Sequence, residues 1–184
     1  MAIKTFTTGE VLTAADTNTY LTNSGLTYIE SFTLTSTTGE LQWGTFSSTY
    51  RNYRIVIDNL ITTNQGVLNA YLGTTAVAAG YYSSAIYDQA SGGLTGAVRT
   101  NNTGTWAIGL TEVSPIGSSY TFDLCNPQTA VRASFMGTYN GRVIYAGYCA
   151  GGHDNTAQFT TMNFNCPGGS LVSGNFTLYG YRKP

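Results

Sequence analysis

The chain has 184 residues, enough for one domain with a sizeable core, and carries 42 % hydrophobic but only 9 % charged residues, with a formal net charge of −1. That balance argues against a nucleic-acid partner, which needs clustered Lys and Arg against phosphate, whereas the eight basic residues here are scattered. It also argues against disorder, because 13 % of the residues are aromatic and fourteen are Tyr.

The opening MAIKTFTTGE lacks the apolar segment of a secretory signal, and no window approaches the roughly 18 apolar residues of a membrane span. The expectation is synthesis in a cytosol and use without processing. Thr13 is a good helix N-cap, with Asp16 placed to complete a capping-box-like pair. Ala14 and Ala15 favour helix, and Asn23, Ser24 and Gly25 stop it. Such a short helix is marginal alone in water and needs a surface to lie on. Val11, Leu12, Tyr20 and Leu21 are therefore expected to be buried against the protein's own sandwich or another chain.

After Gly25 the period changes from helix to strand. TYIESFTLTS alternates Tyr28, Glu30, Phe32 and Leu34 against Ile29, Ser31 and Thr33. YRIVIDNL puts Tyr53, Ile55 and Ile57 on one face. VLNAYLG and GYYSSAIYDQ follow, and then residues 91–104, poor in bulky side chains, read as a mobile exposed loop. TWAIGLTEV and SYTFDLCN read as further strands. Asn140-Gly141 carries a type I′ turn signal between two alternating runs, the first aligning Val131, Ala133, Phe135 and Tyr139. The second run is apolar on both faces, so its outward side, with Ile144 and Tyr148, is a candidate subunit interface. AQFTTMNFNC and GNFTLYGYR close the chain. About ten short strands with no fixed repeat argue for an antiparallel sandwich or barrel. The division expected is an anchoring arm over residues 1–25 and a β-sandwich over 26–184.

The chemical inventory is thin. Three cysteines, Cys125, Cys149 and Cys166, cannot all pair within one chain and read as small hydrophobes. Cys149 and His153 are four apart, but the further ligands of a closed zinc site are not evident. His153, the one imidazole, reads as a surface-loop residue, and no G-x-S-x-G motif accompanies it. Neither a phosphate loop nor a calcium loop is present, so no cofactor and no catalytic residue is assigned. Stacking on sugars has candidates in Tyr81 and Tyr82, with Tyr87 and Trp106 behind them; packing in the core is the competing role of each.

FTTGEVLTAADTNTYLTN resembles a leader of tailed-phage virion proteins, F-x-x-G-E-V-L-T-A-x-D-x-N-x-Y-L. The matching positions are Phe6, Gly9, Glu10, Val11, Leu12, Thr13, Ala14, Asp16, Asn18, Tyr20 and Leu21. FSSTYRNYRIVIDNL and GNFTLYGYRK are similar to shorter stretches of phage β-sandwich proteins. The resemblance covers about a quarter of the chain, and residues 61–170 take no part in it. It implies a non-enzymatic virion part whose arm docks and whose sandwich is displayed. The compact size then points to a jelly-roll-like antiparallel β-sandwich of about 8–10 strands with a short N-terminal helix. The expected function is a homotrimeric capsid decoration, or cement, protein seated on the major capsid protein or other virion proteins. The alternative is a short tail-fibre or tail-tip protein that binds host-surface glycan, as its Tyr-, Asn- and Gly-rich loops suggest.

Overall fold

A computed structural model describes residues 7–11, 13, 25–89, 94–141 and 145–182. The described chain is all-β: twelve strands in two antiparallel sheets, with no helix among the described residues. The expected helix at residues 13–23 lies outside the described residues except for Thr13. Of the arm, Thr7–Glu10 form a turn, with the Glu10 N–H donating to the Thr7 carbonyl at 3.0 Å.

In chain order the strands are β1 (Leu26–Leu34), β2 (Glu40–Trp43), β3 (Tyr50–Thr62), β4 (Gly66–Leu72), β5 (Tyr81–Gln89) and β6 (Leu94–Thr103). They continue with β7 (Trp106–Thr111), β8 (Ser118–Cys125), β9 (Ser134–Gly141), β10 (Tyr145–His153), β11 (Met162–Asn165) and β12 (Leu171–Arg182). The large sheet runs β1-β12-β3-β8-β9-β10-β5-β6, and the small one β2-β11-β4-β7.

The alternation read from sequence places the core where expected in β3. Tyr53, Ile55 and Ile57 are buried, and Arg54 and Val56 face outward in part. The large sheet adds Tyr120, Phe122, Leu124, Phe176 and Leu178 from above, and the small sheet adds Trp43, Leu68, Leu72, Met162 and Phe164 from below. Phe176 meets Trp43 and Phe164 with ring centroids 5.6 Å away in each case, which ties the two layers together.

The large sheet is twice as wide as the small one, so β9, β10, β5 and β6 extend past the body. β7, at the border of the small sheet, packs beneath β5, β6, β9 and β10. The overhang therefore rests on a single strand, and β7 is buried along almost its whole length.

Three expectations are corrected. The strand count among the described residues is twelve, because ELQW forms β2 and residues 94–103 form β6 instead of a mobile loop. β6 pairs with β5 from Gln89↔Leu94 to Tyr81↔Thr103, and an edge strand needs one hydrogen-bonded neighbour more than it needs bulky side chains. The hairpin between β9 and β10 exists, but Asn140 and Gly141 are strand residues paired with Ala146 and Tyr145. Gly141 is needed for proximity to β7: an added Cβ would lie 2.9 Å from the Leu110 carbonyl oxygen.

Candidate functional site

Period-two alternation sends Ser84, Ile86, Met136, Thr138, Tyr148 and Ala150 to the outer face of the overhang. Register then brings them together. Tyr148 lies opposite both Ile86 and Thr138, while Ala150 lies opposite both Ser84 and Met136. Directly opposed side chains such as Ile86 and Tyr148 start about 5 Å apart, and Met136 stands diagonal to Tyr148 at about 7–8 Å, within reach of long side chains, so the three form one cluster. Tyr148 is 73 % exposed, Met136 64 % and Ile86 47 %. The concavity between them has a volume of about 470 Å³ and is floored by Gly137, Cys149 and Ala150.

Its rim is polar and fixed. Asp123 on β8 accepts two hydrogen bonds from Arg54, each at 2.8 Å, and one from the Tyr181 hydroxyl at 2.7 Å. Partial burial pushes the Asp123 carboxyl up, but the Arg54 and Tyr181 hydrogen bonds outweigh it and hold it below its usual value. Burial and the Asp123 carboxylate push the Tyr181 hydroxyl up to about 12. The arrangement suits protein contact: an apolar centre, small residues beneath it, and a paired charge at its margin.

Tyr148, named from sequence, is at the centre of this face, while Ile144 lies outside the described residues. Ile86 and Met136 were missed, although the alternation that turns Phe135 and Tyr139 inward must turn Met136 outward. Val11 is 77 % exposed, so it does not pack on its own sandwich; Leu12, Tyr20 and Leu21 lie outside the described residues. Tyr81 is corrected as a sugar contact: it is fully buried, and its hydroxyl accepts from the Leu72 N–H at 2.8 Å. The same burial pushes that hydroxyl up to about 12. Tyr82 is half-buried, between Gly152 and Asn101 in the ladder.

His153 is corrected as well, because it is a core residue only 1 % exposed. It packs on Tyr81 at 4.1 Å, Phe159 at 5.5 Å and Trp106 at 6.4 Å between ring centroids. Among the described residues its Nδ1 has no hydrogen-bond partner of good geometry, and the neighbouring Arg132–Asp154 ion pair is largely solvent-facing. Burial pushes the imidazole below its ordinary value, and the Asn155 backbone opposes this only in part. The neutral ring is thus favoured in the fold, so its contribution is complete above the unfolded value near 6.5 and is lost as pH falls below it. Thermal melting should be flat from about pH 8 to 7 and decline below about 6.5; His153→Phe should flatten the decline that sets in below about pH 6.5. An unchanged slope in that variant removes His153 as its source.

No cluster of three or more metal-ligating side chains occurs among the described residues. Cys149 and Cys166 are buried and Cys125 partly so, all three as free thiols, and burial pushes the Cys149 thiol up to about 12. No helix among the described residues is long and apolar enough to cross a membrane. Comparison with protein-family models, curated proteins and solved structures gave no match.

Proposed function

We propose that this protein is a non-enzymatic structural part of a tailed-phage virion, a homotrimer that decorates the head surface and associates through the outer face of the overhang. The observation that carries the reading is the position of the apolar concavity. Apart from Asp123, its lining comes from β5, β9 and β10, the strands that lie outside the body of the sandwich.

The body itself reads as a jelly roll. Setting aside the hairpins β5–β6 and β9–β10 leaves the orders β1-β12-β3-β8 and β2-β11-β4-β7. The remaining chain crosses between sheets at each connection except β4 to β7, the alternation of a double Greek key. The two hairpins are then additions that meet side by side, β10 against β5. A surface built by additions to a stable body is where a protein gains a partner without disturbing its core.

Ile86, Met136 and Tyr148 together expose more apolar side chain than isolated surface residues would, and covering the part still exposed is worth about 1–2 kcal/mol each. Around a three-fold axis each copy presents this face to a different patch of its neighbour. The exposure of residues 7–11 and 13, which lie in and beside the virion-like leader, supports attachment to the major capsid protein or another virion protein. Synthesis in the host cytoplasm followed by assembly onto the particle completes the reading.

Light scattering should give three times the 19.6 kDa chain mass at micromolar concentration. Met136→Lys with Tyr148→Glu should yield monomers whose melting temperature is close to that of the parent monomer, since both side chains are exposed. Protein released from purified particles should be present in hundreds of copies. A parent protein that stays monomeric, or a few copies confined to the tail, overturns the reading.

A further inference from the structure

Below the overhang, on the opposite side of the large sheet from the apolar face, the step between the two layers forms a second, open concavity of about 300 Å³. Its walls come from three strands and the turns beside them: Gln65 and Val67 at the start of β4, Leu110, Thr111 and Glu112 at the end of β7, and Tyr87 on the inner face of β5.

Glu112 is the feature that needs a reason. It is 3 % exposed, and the Gln65 side-chain amide donates to its Oε2 at 2.8 Å. No ion pair to it exists among the described residues. Withdrawing a carboxylate from water is costly unless it is paired or fully hydrogen-bonded, and one neutral amide leaves acceptor capacity on both oxygens. The backbone fixes its place: the Glu112 carbonyl accepts from the Thr62 N–H at 2.9 Å. Tyr87 is held just as firmly, since its ring lies over Gly96, where a Cβ would fall 2.6 Å from Tyr87 Cε2. The site therefore presents a carboxylate acceptor, an amide and an aromatic ring, on β5 and at the ends of β4 and β7.

We propose that this step pocket binds a single sugar ring. One ring hydroxyl donates to the Glu112 carboxylate, the Gln65 amide serves a further hydroxyl, and the apolar face of the ring lies against Tyr87, Val67 and Leu110. The volume is at the small end of ligand pockets and suits one ring better than an extended apolar molecule. Among the described residues no cluster of metal-ligating groups surrounds Glu112, which favours hydroxyl donors over a cation. The proposal does not depend on the assembly reading: the two concavities lie on opposite faces of one sheet, and the Met136→Lys, Tyr148→Glu monomer keeps the pocket intact.

The test is an amide NMR titration of the monomeric variant with D-glucose, D-galactose, D-mannose and N-acetyl-D-glucosamine, each alone. At least one should shift the amides of Gln65, Val67 and Glu112 saturably, with millimolar affinity. Gln65→Ala and Glu112→Gln should each weaken that binding about tenfold or more. Gln65 is exposed, so its variant tests the site even where Glu112→Gln disturbs folding. No saturable shift with any of the four sugars, shifts centred elsewhere, or undiminished binding by Gln65→Ala overturns the proposal. Saturable shifts of the same amides by calcium chloride alone, without a sugar response, also overturn it in favour of a cation.

Discussion

Trp106→Ala should destabilise the protein by about 3–5 kcal/mol, the range for removing a large buried aromatic side chain. Trp106 is fully buried and belongs to β7, the one strand beneath the overhang. Its ring meets Tyr81 of β5 at 5.0 Å, Phe135 of β9 at 4.9 Å and His153 of β10 at 6.4 Å. Its Nε1–H donates to the Gly152 carbonyl at 2.9 Å. One side chain thus joins both added hairpins to the small sheet, and truncation leaves a cavity together with an unpaired carbonyl. The loss should be local before it is global. Hydrogen exchange should accelerate in β5, β6, β9 and β10 well beyond that in β3 and β12. A loss below about 1.5 kcal/mol by denaturant titration, or uniform exchange, would show that the overhang is held elsewhere.

The second large effect is expected at Gly137, where Ala should cost about 3 kcal/mol or prevent folding. A methyl there would fall 2.5 Å from Phe122 Cα and inside contact distance of the Thr121 carbonyl oxygen. Both obstacles belong to the backbone of β8 or lie next to it, so no rotamer change relieves them. Gly137 also floors the apolar concavity, and the same substitution should reshape the proposed trimer contact. Gly39 is the control: it has nothing within 4 Å and no unusual backbone angle, so Gly39→Ala should stay within about 0.5 kcal/mol of the parent. Equal effects at the two glycines would mean that the close approach of β8 and β9 is not what requires Gly137.

These two positions also mark how far the sequence could be read. Tyr53, Ile55 and Ile57 declare themselves because every second residue of β3 is bulky and apolar, and a half-buried strand imposes that pattern directly. Gly137 carries no such mark, since its reason is a neighbour 15 residues away in β8. His153 looked like a loop residue because glycines precede it and polar residues follow, yet the ladder of β10 reaches it and Tyr81 lies directly opposite. Tyr81 and Tyr82 are adjacent and look alike in sequence, but the pleat sends one into the core and leaves the other half-buried. Glu112 had no distinguishing neighbour; Gln65 and Tyr87 come to it only through three different strands.

Local chemistry in the chain therefore determined the class: a sparsely charged, Tyr-rich, alternating polypeptide punctuated by glycine forms antiparallel strands with a two-sided core. What the tertiary structure alone decided is which strands are neighbours and which side of each faces out. Alternation within a strand sets two faces but not the partner of either, because pairing partners are chosen by contacts between residues far apart in the chain. The apolar face on β5, β9 and β10, the buried imidazole and the step pocket all arise from that choice.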